Sequence, residues 1–427
     1  MLLNRTRAIE VMKRHNLDGL VAAFPENIYY LSDYYGPMLL MSRNYTMYAV
    51  LPRDPNEPAA LIIPSSGAYH LEHMPTWVPN VVPFSIRVHP KAIPPRDFAS
   101  ELEDIEDDGL PIQASIDPMP YPVRQGVEFN DRDRTLLARY DQYRGRLQPT
   151  ALYALRRALR DAGIDKGRLG FDDPRVLGWL NTIGLDDLTG IDALNVFKEV
   201  RMVKTETEID LIRTAGQMTE AALNAVIDAI EPGLPLDAIN GIHARKMAEL
   251  GGRSHFIIAN IRGLATGEVE PNELIKLDSV GTYKEYRGDV GRSVICGEPT
   301  PEMIRRNKAV TRALQIAYEN IRPGVKASDI TKLTLEMVEK EGFPGFVIAT
   351  PHSIGIEHTD HPTSIGPELP GVHELIFQEN MVFTLDMPYH EVGWGTMHVE
   401  DMIIVRKDHC EAITSMDTAL RIKPLVG

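Results

Sequence analysis

The stretch "LDSVGTYKEYRGDVGRS" runs from Leu277 to Ser293 and holds two aspartates, Asp278 and Asp289. Leu274–Val280 and Asp289–Ile295 are both rich in β-branched and apolar residues, so the stretch predicts two short strands around a turn. An antiparallel pair centred on Tyr283–Lys284 places Asp278 opposite Asp289. Directly opposed residues have Cβ atoms about 4.5–5.5 Å apart, where like charges are destabilising. A divalent cation between the two carboxylates removes that repulsion, because hard cations take carboxylate oxygens. The alternative is a surface hairpin with two solvated turn acids.

The surrounding chain bears on that choice. Upstream, Thr205 and Glu208 form a capping-box pattern ahead of a helix with apolar Ile209, Ile212, Ala215 and Met218. That helix stops at "IEPG", residues 230–233, and a second helix follows over roughly Leu236–Leu250. "RSHFIIAN" then reads as a strand leading to the aspartate hairpin. Downstream the order recurs. Thr300–Pro301 starts a helix that ends at "IRPG", and Ser328 caps another that ends near Gly342. "FVIAT" reads as a strand, and a second acid-bearing hairpin follows, "MVFTLDMPYHEVGWGTMHVEDMIIV", with Asp386 and Glu400. This is a degenerate internal duplication. Two halves packed about a pseudo-twofold axis bring four carboxylates together. Unpaired and buried, they must bind cations or take up protons, and two divalent ions balance them. Paired metals suit the activation of a water and the clamping of a developing oxyanion.

Histidines add to the pattern. "TPHSIGIEHTDHPTSIG" contributes His352, His358 and His361 between the two hairpins. A strand signal leads into His352, which makes it the metal-ligand choice, since neutral imidazole is a common ligand. His255, His390 and His398 also lie near strand or hairpin positions, each as readily structural as functional.

The rest of the chain sets bounds. Its 427 residues allow two or three domains, and the net charge of −15 disfavours nucleic acid or an anionic membrane surface as partner. Two distant cysteines, Cys296 and Cys410, exclude a disulfide framework and fit a reducing compartment. The N-terminus shows no signal-peptide pattern and no apolar run reaches membrane-span length, so a cytoplasmic protein is expected. Residues 1–195 alternate helix and strand signals: a helix over Asn4–His15, strands at "DGLVAAF", "MYAVLPR" and "AALIIP", and a helix over Thr150–Gly163. This reads as an α/β domain. Glu101–Asp108 is an acidic run on a solvated loop or helix face, and Pro90–Asp141 has the look of an insertion, either a lid or a surface excursion.

Taken together, these motifs resemble the creatinase/prolidase/aminopeptidase P family, whose catalytic domain has the "pita-bread" fold. "LDSVGTYKEYRGDVGRS" resembles its first metal motif and "PHSIGIE" its histidine motif. "MVFTLDMPY…HVEDMIIV" resembles its closing acidic motif, "PENIYYLSDYYG" its N-terminal signature and "VRMVKTETEIDLIRTA" its domain junction. The resemblance implies an α/β creatinase-like N-terminal domain, 1–195, and an α+β pita-bread catalytic domain, 196–427, with an internal pseudo-twofold repeat. It also implies a ligand set: Asp278 bidentate to one metal, Asp289 and Glu400 bridging, with His352 and Asp386 completing the site. The implied cofactors are two divalent ions, manganese first, with cobalt, zinc or iron as alternatives. The implied reaction is amide hydrolysis, often on the N-terminal side of proline, by a metal-bound hydroxide. Asp386 would help with proton transfer, His361 and His398 are further catalytic candidates, and His358 and His255 are candidate substrate-binding residues. The implied partners are a small peptide or small amide substrate and a second copy of the chain in a homodimer.

The sequence departs from that pattern in four places. Asp386 stands where glutamate is usual, Thr359 where a second histidine is usual, and His398 where arginine is usual. The substrate-binding histidine expected between Asn260 and Glu273 is absent. These departures keep open two alternatives. One is a relative acting on a non-peptide C–N bond, as creatinase and ectoine hydrolase do, or a lyase of the dimethylsulfoniopropionate type. The other is an inactive pita-bread binding module.

Overall fold

Asn4 caps the first helix, α1 (Arg5–Arg14), by accepting a hydrogen bond from the Arg7 backbone N–H. It opens a computed structural model that describes residues 1–41, 46–85, 119–363 and 374–425. Two units are distinguished, Met1–Val200 and Arg201–Gly427. Among the described residues no helix is long and apolar enough to cross a membrane.

The N-terminal unit is built on a six-stranded mixed sheet in the order β4-β3-β2-β1-β5-β6. The strands are β1 (Gly19–Ala22), β2 (Tyr48–Pro52), β3 (Ala60–Pro64), β4 (Asn80–Phe84), β5 (Arg168–Phe171) and β6 (Thr189–Asp192). Neighbours β1/β2 and β2/β3 are antiparallel, and the others are parallel. Helix α2 (Ala151–Asp161), capped by the Thr150 hydroxyl, covers this sheet. Its Ala154, Leu155 and Ala158 pack with Val21, Val50, Ile62 and Phe171. The expected α1, β1, β2, β3 and α2 are all present. β4, β5, β6 and a helix over Pro25–Ser32 are among the elements present in addition to those expected. Of the suspected insertion, residues 90–118, including the acidic run Glu101–Asp108, lie outside the described residues.

The C-terminal unit shows the duplication as architecture. Helices α3 (Glu206–Ala229) and α4 (Ala238–Glu249) precede β7 (Arg253–Ile261), β8 (Leu274–Tyr283) and β9 (Tyr286–Cys296). Helices α5 (Pro301–Asn320) and α6 (Ala327–Lys340) precede β10 (Thr350–Ser353), β11 (Val382–Glu391) and β12 (Gly395–Val405). Short strands β13 (Cys410–Ala412) and β14 (Arg421–Lys423) pair with β12 and β9. The long sheet runs β10-β11-β12-β9-β8-β7, so each half occupies one side of a β12/β9 seam in mirrored order, as a pseudo-twofold repeat requires. Thr205 and Glu208 form the expected capping box, and Thr300 caps α5. Both "I-x-P-G" stops end in a glycine with positive φ, Gly233 at 86° and Gly324 at 90°, which is the backbone region that favours glycine.

Strand alternation separates core from site. Successive side chains point to opposite faces of a sheet. Ile275, Leu277, Val290 and Val294 face α3, where they meet Leu223, Val226 and Ile227. In the second half Phe383, Leu385, Val399 and Ile403 meet Ala313, Leu314 and Ala317 of α5. The acids occupy the intervening positions on the other face.

Three local expectations need correction. The first hairpin turns at Lys284–Glu285, both with positive φ, and pairs Tyr283 with Tyr286. Asp278 is therefore opposite Gly291, and Asp289 opposite Val280. The shift is two residues, so both acids keep the same face but are diagonal neighbours, about 7–8 Å apart rather than directly opposed. "FVIAT" is not a strand; β10 begins at Thr350, after the apolar run. Ser328 is not a cap: it lies inside the first turn of α6, and its hydroxyl donates to Glu374 Oε1 at 2.7 Å.

Candidate metal centre

The register of the long sheet assembles the site. Asp386 pairs with Glu400, Glu400 with Gly291, and Gly291 with Asp278, so one row crosses four strands. A step along the strands on one side of this row stand His352, paired with Thr384, and Asp289, paired with Val280. The Asp289 backbone N–H donates to Met402 Sδ at 3.2 Å, which fixes that neighbourhood across the seam. A step on the other side stand Lys276 and His398. The five residues expected as ligands, Asp278, Asp289, His352, Asp386 and Glu400, are thus brought to one face. Groups with ligand atoms mutually within 4.8 Å are Asp289–His352–His358, Asp278–His398–Glu400 and His352–Asp386–Glu400.

Their donors are poorly satisfied. Asp289 and Glu400 are each 1% exposed. Asp289 Oδ1, Glu400 Oε2 and His352 Nδ1 are buried with no hydrogen-bond partner among the described residues. The Thr384 hydroxyl donates to Glu400 Oε1 at 2.5 Å, and Lys276 Nζ donates to Asp278 Oδ2 at 3.2 Å. His358 Nε2 is 3.1 Å from Asp289 Oδ2, and His352 Nε2 is 4.0 Å from the same oxygen. The two imidazole rings lie 4.7 Å apart between centroids.

Burial pushes the Asp289 carboxyl up, and Asp278 pushes it further. Burial also raises Glu400 well above the usual carboxylate range, helped by Asp289, Asp386 and Asp278. Burial works upward on Asp386 too, but the hydrogen bond and charge of His398 outweigh it and leave that carboxyl low. Burial lowers His352, favouring the neutral imidazole that a metal requires. Buried, mutually repelling carboxylates with orphaned oxygens, beside a neutral imidazole, make a donor set that fits divalent cations.

The remaining histidines separate by position. His358 faces the cage, and its hydrogen bond to Asp289 raises its pKa. His398 lies within the cage, its Nε2 2.7 Å from Asp386 Oδ1. His361 is turned to its own loop, where Nδ1 accepts from the Ser353 N–H at 3.2 Å. His255 is exposed at the bulge of β7 and stacks beside Phe256 at 5.3 Å; it belongs to none of the ligand groups found among the described residues. Thr359 lies beside His358, its Oγ1 3.5 Å from His358 Nδ1. The loop lacking the expected histidine is clipped by an Arg262–Glu273 ion pair at 3.0 Å.

Several positioning residues were not singled out from sequence. Arg292, on the helix side of β9, donates to Gly291 O and Glu400 O at 2.7 Å, to Asp401 Oδ1 at 2.7 Å and to Met416 O at 2.6 Å. It stitches the β9/β12 seam directly behind the acidic row. Asp360, wholly buried, receives Lys204 Nζ at 2.6 Å and Arg201 Nε at 2.9 Å. Burial alone would raise its carboxyl; Arg201 and Lys204 hold it far below the ordinary range. Through the Asp360 N–H to Ser353 O bond at 2.9 Å and the Arg287 N–H to Gly355 O bond at 2.9 Å, this trio fixes the loop bearing His358. Motif strings had included Arg292, Arg201 and Lys204, but a string does not say what a side chain touches.

Comparison with known proteins is consistent with this geometry. Residues 210–407 match the model of metallopeptidase family M24. The chain is 27% identical over 261 residues to a probable dipeptidase PepE of Mycobacterium tuberculosis, covering 58% of this chain and 68% of that relative. It is 23% identical over 238 residues to a Xaa-Pro dipeptidase of Pyrococcus furiosus, covering 53% and 67%. Among solved structures, a Xaa-Pro dipeptidase from Bacillus anthracis superposes with a TM-score of 0.69 at 17% identity, covering 98% of this chain and 100% of that one. An X-Pro aminopeptidase from Thermotoga maritima gives 0.65 at 18% identity, covering 98% and 99%. The fold is thus that of the prolidases and X-Pro aminopeptidases.

Proposed function

We propose, from the premise that residues 210–407 are a metallopeptidase domain of family M24, that the chain is a metal-dependent hydrolase cleaving the amide bond of a small peptide of the Xaa-Pro type. The carrying observation is the convergence of Asp278, Asp289, Asp386, Glu400 and His352 on one sheet face, where buried atoms of Asp289, Glu400 and His352 have no hydrogen-bond partner among the described residues. Those residues would hold two divalent ions of the manganese, cobalt, zinc and iron group. When bound, such ions polarise a carbonyl and acidify water.

The chain's own side chains supply the rest. Asp386, at 27% side-chain exposure, offers a carboxylate to the open side of the cage and is kept low by His398. It accepts the proton of the attacking water and returns it to the leaving nitrogen. His358, at 38% side-chain exposure with Nε2 3.1 Å from Asp289 Oδ2, is placed to donate to the oxygen that gains charge. Ile258 pairs with Asp278 on the neighbouring strand and is 43% exposed; with Phe256 it forms an apolar flank for a substrate side chain. A homodimer and a cytoplasmic setting complete the proposal.

A second reading is hydrolysis of a non-peptide C–N bond. Loop 261–273 contains no histidine to orient a peptide carbonyl, and that observation favours it. The test is elemental analysis of the purified chain, followed by a screen of Xaa-Pro dipeptides against small amides and betaines. Bound metal with Xaa-Pro cleavage supports the first reading. Bound metal with cleavage of small amides alone replaces it by the second. A chain without metal and without either activity overturns both.

A further inference from the structure

We infer that His398 is itself a metal ligand, through Nε2, and that it shifts the centre from manganese towards zinc, cobalt or iron. The inference rests on the metallohydrolase reading above and specifies its cofactor.

The ring is wholly buried and held from both ends. Nδ1 lies 3.2 Å from Leu277 O. A carbonyl oxygen only accepts, so Nδ1 carries a hydrogen. Nε2 then faces Asp386 Oδ1 at 2.7 Å and Glu400 Oε2 at 3.4 Å. With a hydrogen on Nδ1, Nε2 meets Asp386 either through a second hydrogen, the metal-free contact that keeps Asp386 low, or as a lone pair on a cation that takes that hydrogen's place. Among the described residues Glu400 Oε2 has no hydrogen-bond partner, so it too is open to a cation. A nitrogen whose ring partner donates to a backbone carbonyl is the usual arrangement of a ligating histidine, because that bond fixes tautomer and orientation.

The backbone is shaped for the ring. A Cβ at Gly291 would lie 2.3 Å from His398 Nδ1 and 2.4 Å from Cε1, so the imidazole lies directly over β9, in the middle of the acidic row. The His398 N–H donates to Ser293 Oγ at 2.7 Å, which anchors the residue to the same strand. Nε2 thereby joins Asp278 and Glu400 in one ligand group, while His352 serves the group with Asp386 and Glu400. Each group then holds an imidazole. Carboxylate sites suit manganese, whereas imidazole donors favour zinc, iron and other late metals.

The test uses the full chain, with Zn²⁺ and Mn²⁺ alone as probes. Diffraction from zinc-loaded wild-type crystals, with anomalous signal, is expected to place Nε2 about 2.0–2.1 Å from an ion. The affinity ratio of Zn²⁺ to Mn²⁺, measured by calorimetry, is expected to fall at least tenfold in His398→Gln and His398→Arg. An Nε2 more than about 3 Å from every bound ion overturns the inference, whether or not the variants fold. So does an unchanged ratio in both variants, while the metallohydrolase reading stands. A wild-type chain that takes up neither metal overturns that reading, and this inference with it.

Discussion

Loading the metal centre is expected to stabilise the C-terminal unit by an amount that can be worked out. A ligand that binds only the folded state at a hundred times its Kd adds about 2.7 kcal/mol. For the roughly 230 residues from Arg201 to Gly427, an unfolding entropy of about 2.1 cal/mol/K per residue gives about 0.5 kcal/mol/K at Tm. Each ion therefore raises Tm by about 6 °C, and two by about 12 °C. Glu400→Gln supplies the control. Glu400 is buried among three other carboxylates and its charge is disfavoured in the absence of a cation. The neutral isostere should raise the Tm of the metal-free protein and lose most of the metal-dependent gain. Scanning calorimetry of chelator-treated and zinc- or cobalt-loaded protein, wild type beside Glu400→Gln, reads both. If loaded and metal-free wild type unfold within a degree of each other, cations do not hold the acidic row together. A full gain retained in Glu400→Gln would remove Glu400 from the ligand set.

The same instruments test the supporting residues. Asp360→Asn breaks the buried pairs to Arg201 and Lys204, a change of about 3–5 kcal/mol, so Tm should fall by about 6–10 °C, with weaker metal binding as the His358 loop loosens. Arg292→Lys keeps the charge but loses the fork that reaches Gly291 O, Glu400 O and Asp401; at about 1–3 kcal/mol for each carbonyl left unpaired, a loss of at least about 2 kcal/mol is expected in urea unfolding. His243 is buried between Ser254 Oγ at 2.7 Å and Ser279 Oγ at 2.8 Å, and burial pushes it down to about 4. Its folded pKa lies below the ordinary value, so its neutral form contributes stability above pH 6.5 that is lost as pH falls towards 4, about 3 kcal/mol in all. Burial pushes Glu208 up to about 7, which gives the opposite slope, present in acid and fading as pH rises to 7. The readout is therefore the difference between wild type and His243→Asn across that window, and a difference independent of pH would refute the assignment.

The convergence of the candidate ligands on one sheet face was readable from sequence because strand alternation and a repeated helix–helix–hairpin pattern are local signals. Asp278, Asp289, Asp386 and Glu400 could be paired two by two without knowing the seam. The hairpin register was harder. Its turn residues are Lys284 and Glu285, both with positive φ and neither the glycine nor asparagine that marks such turns. The place of His398 depends on which strand neighbours which across the β9/β12 junction, since Ser293 and Leu277, which hold it, lie more than a hundred positions away. No periodicity encodes that. Arg292 was hidden for the same reason: its partners are main-chain oxygens of strands that meet only in the folded sheet.

The repeat also explains why the centre is not symmetric. A pseudo-twofold axis at the seam relates β9 to β12 and β8 to β11, so the two halves start with equivalent positions facing one another. Gly291 on β9 lies opposite Glu400 on β12. One half gives up its side chain at this crossing, and the other supplies the acid. The vacated space is where the His398 ring lies. An alanine at 291 would restore a Cβ within 2.3 Å of that ring, well inside van der Waals contact, and would force His398 off Asp386. The small residue on one strand is thus what allows an imidazole into a row that the duplication alone would fill with carboxylates, and the nitrogen it admits gives one half of the centre a donor that the other half obtains from His352.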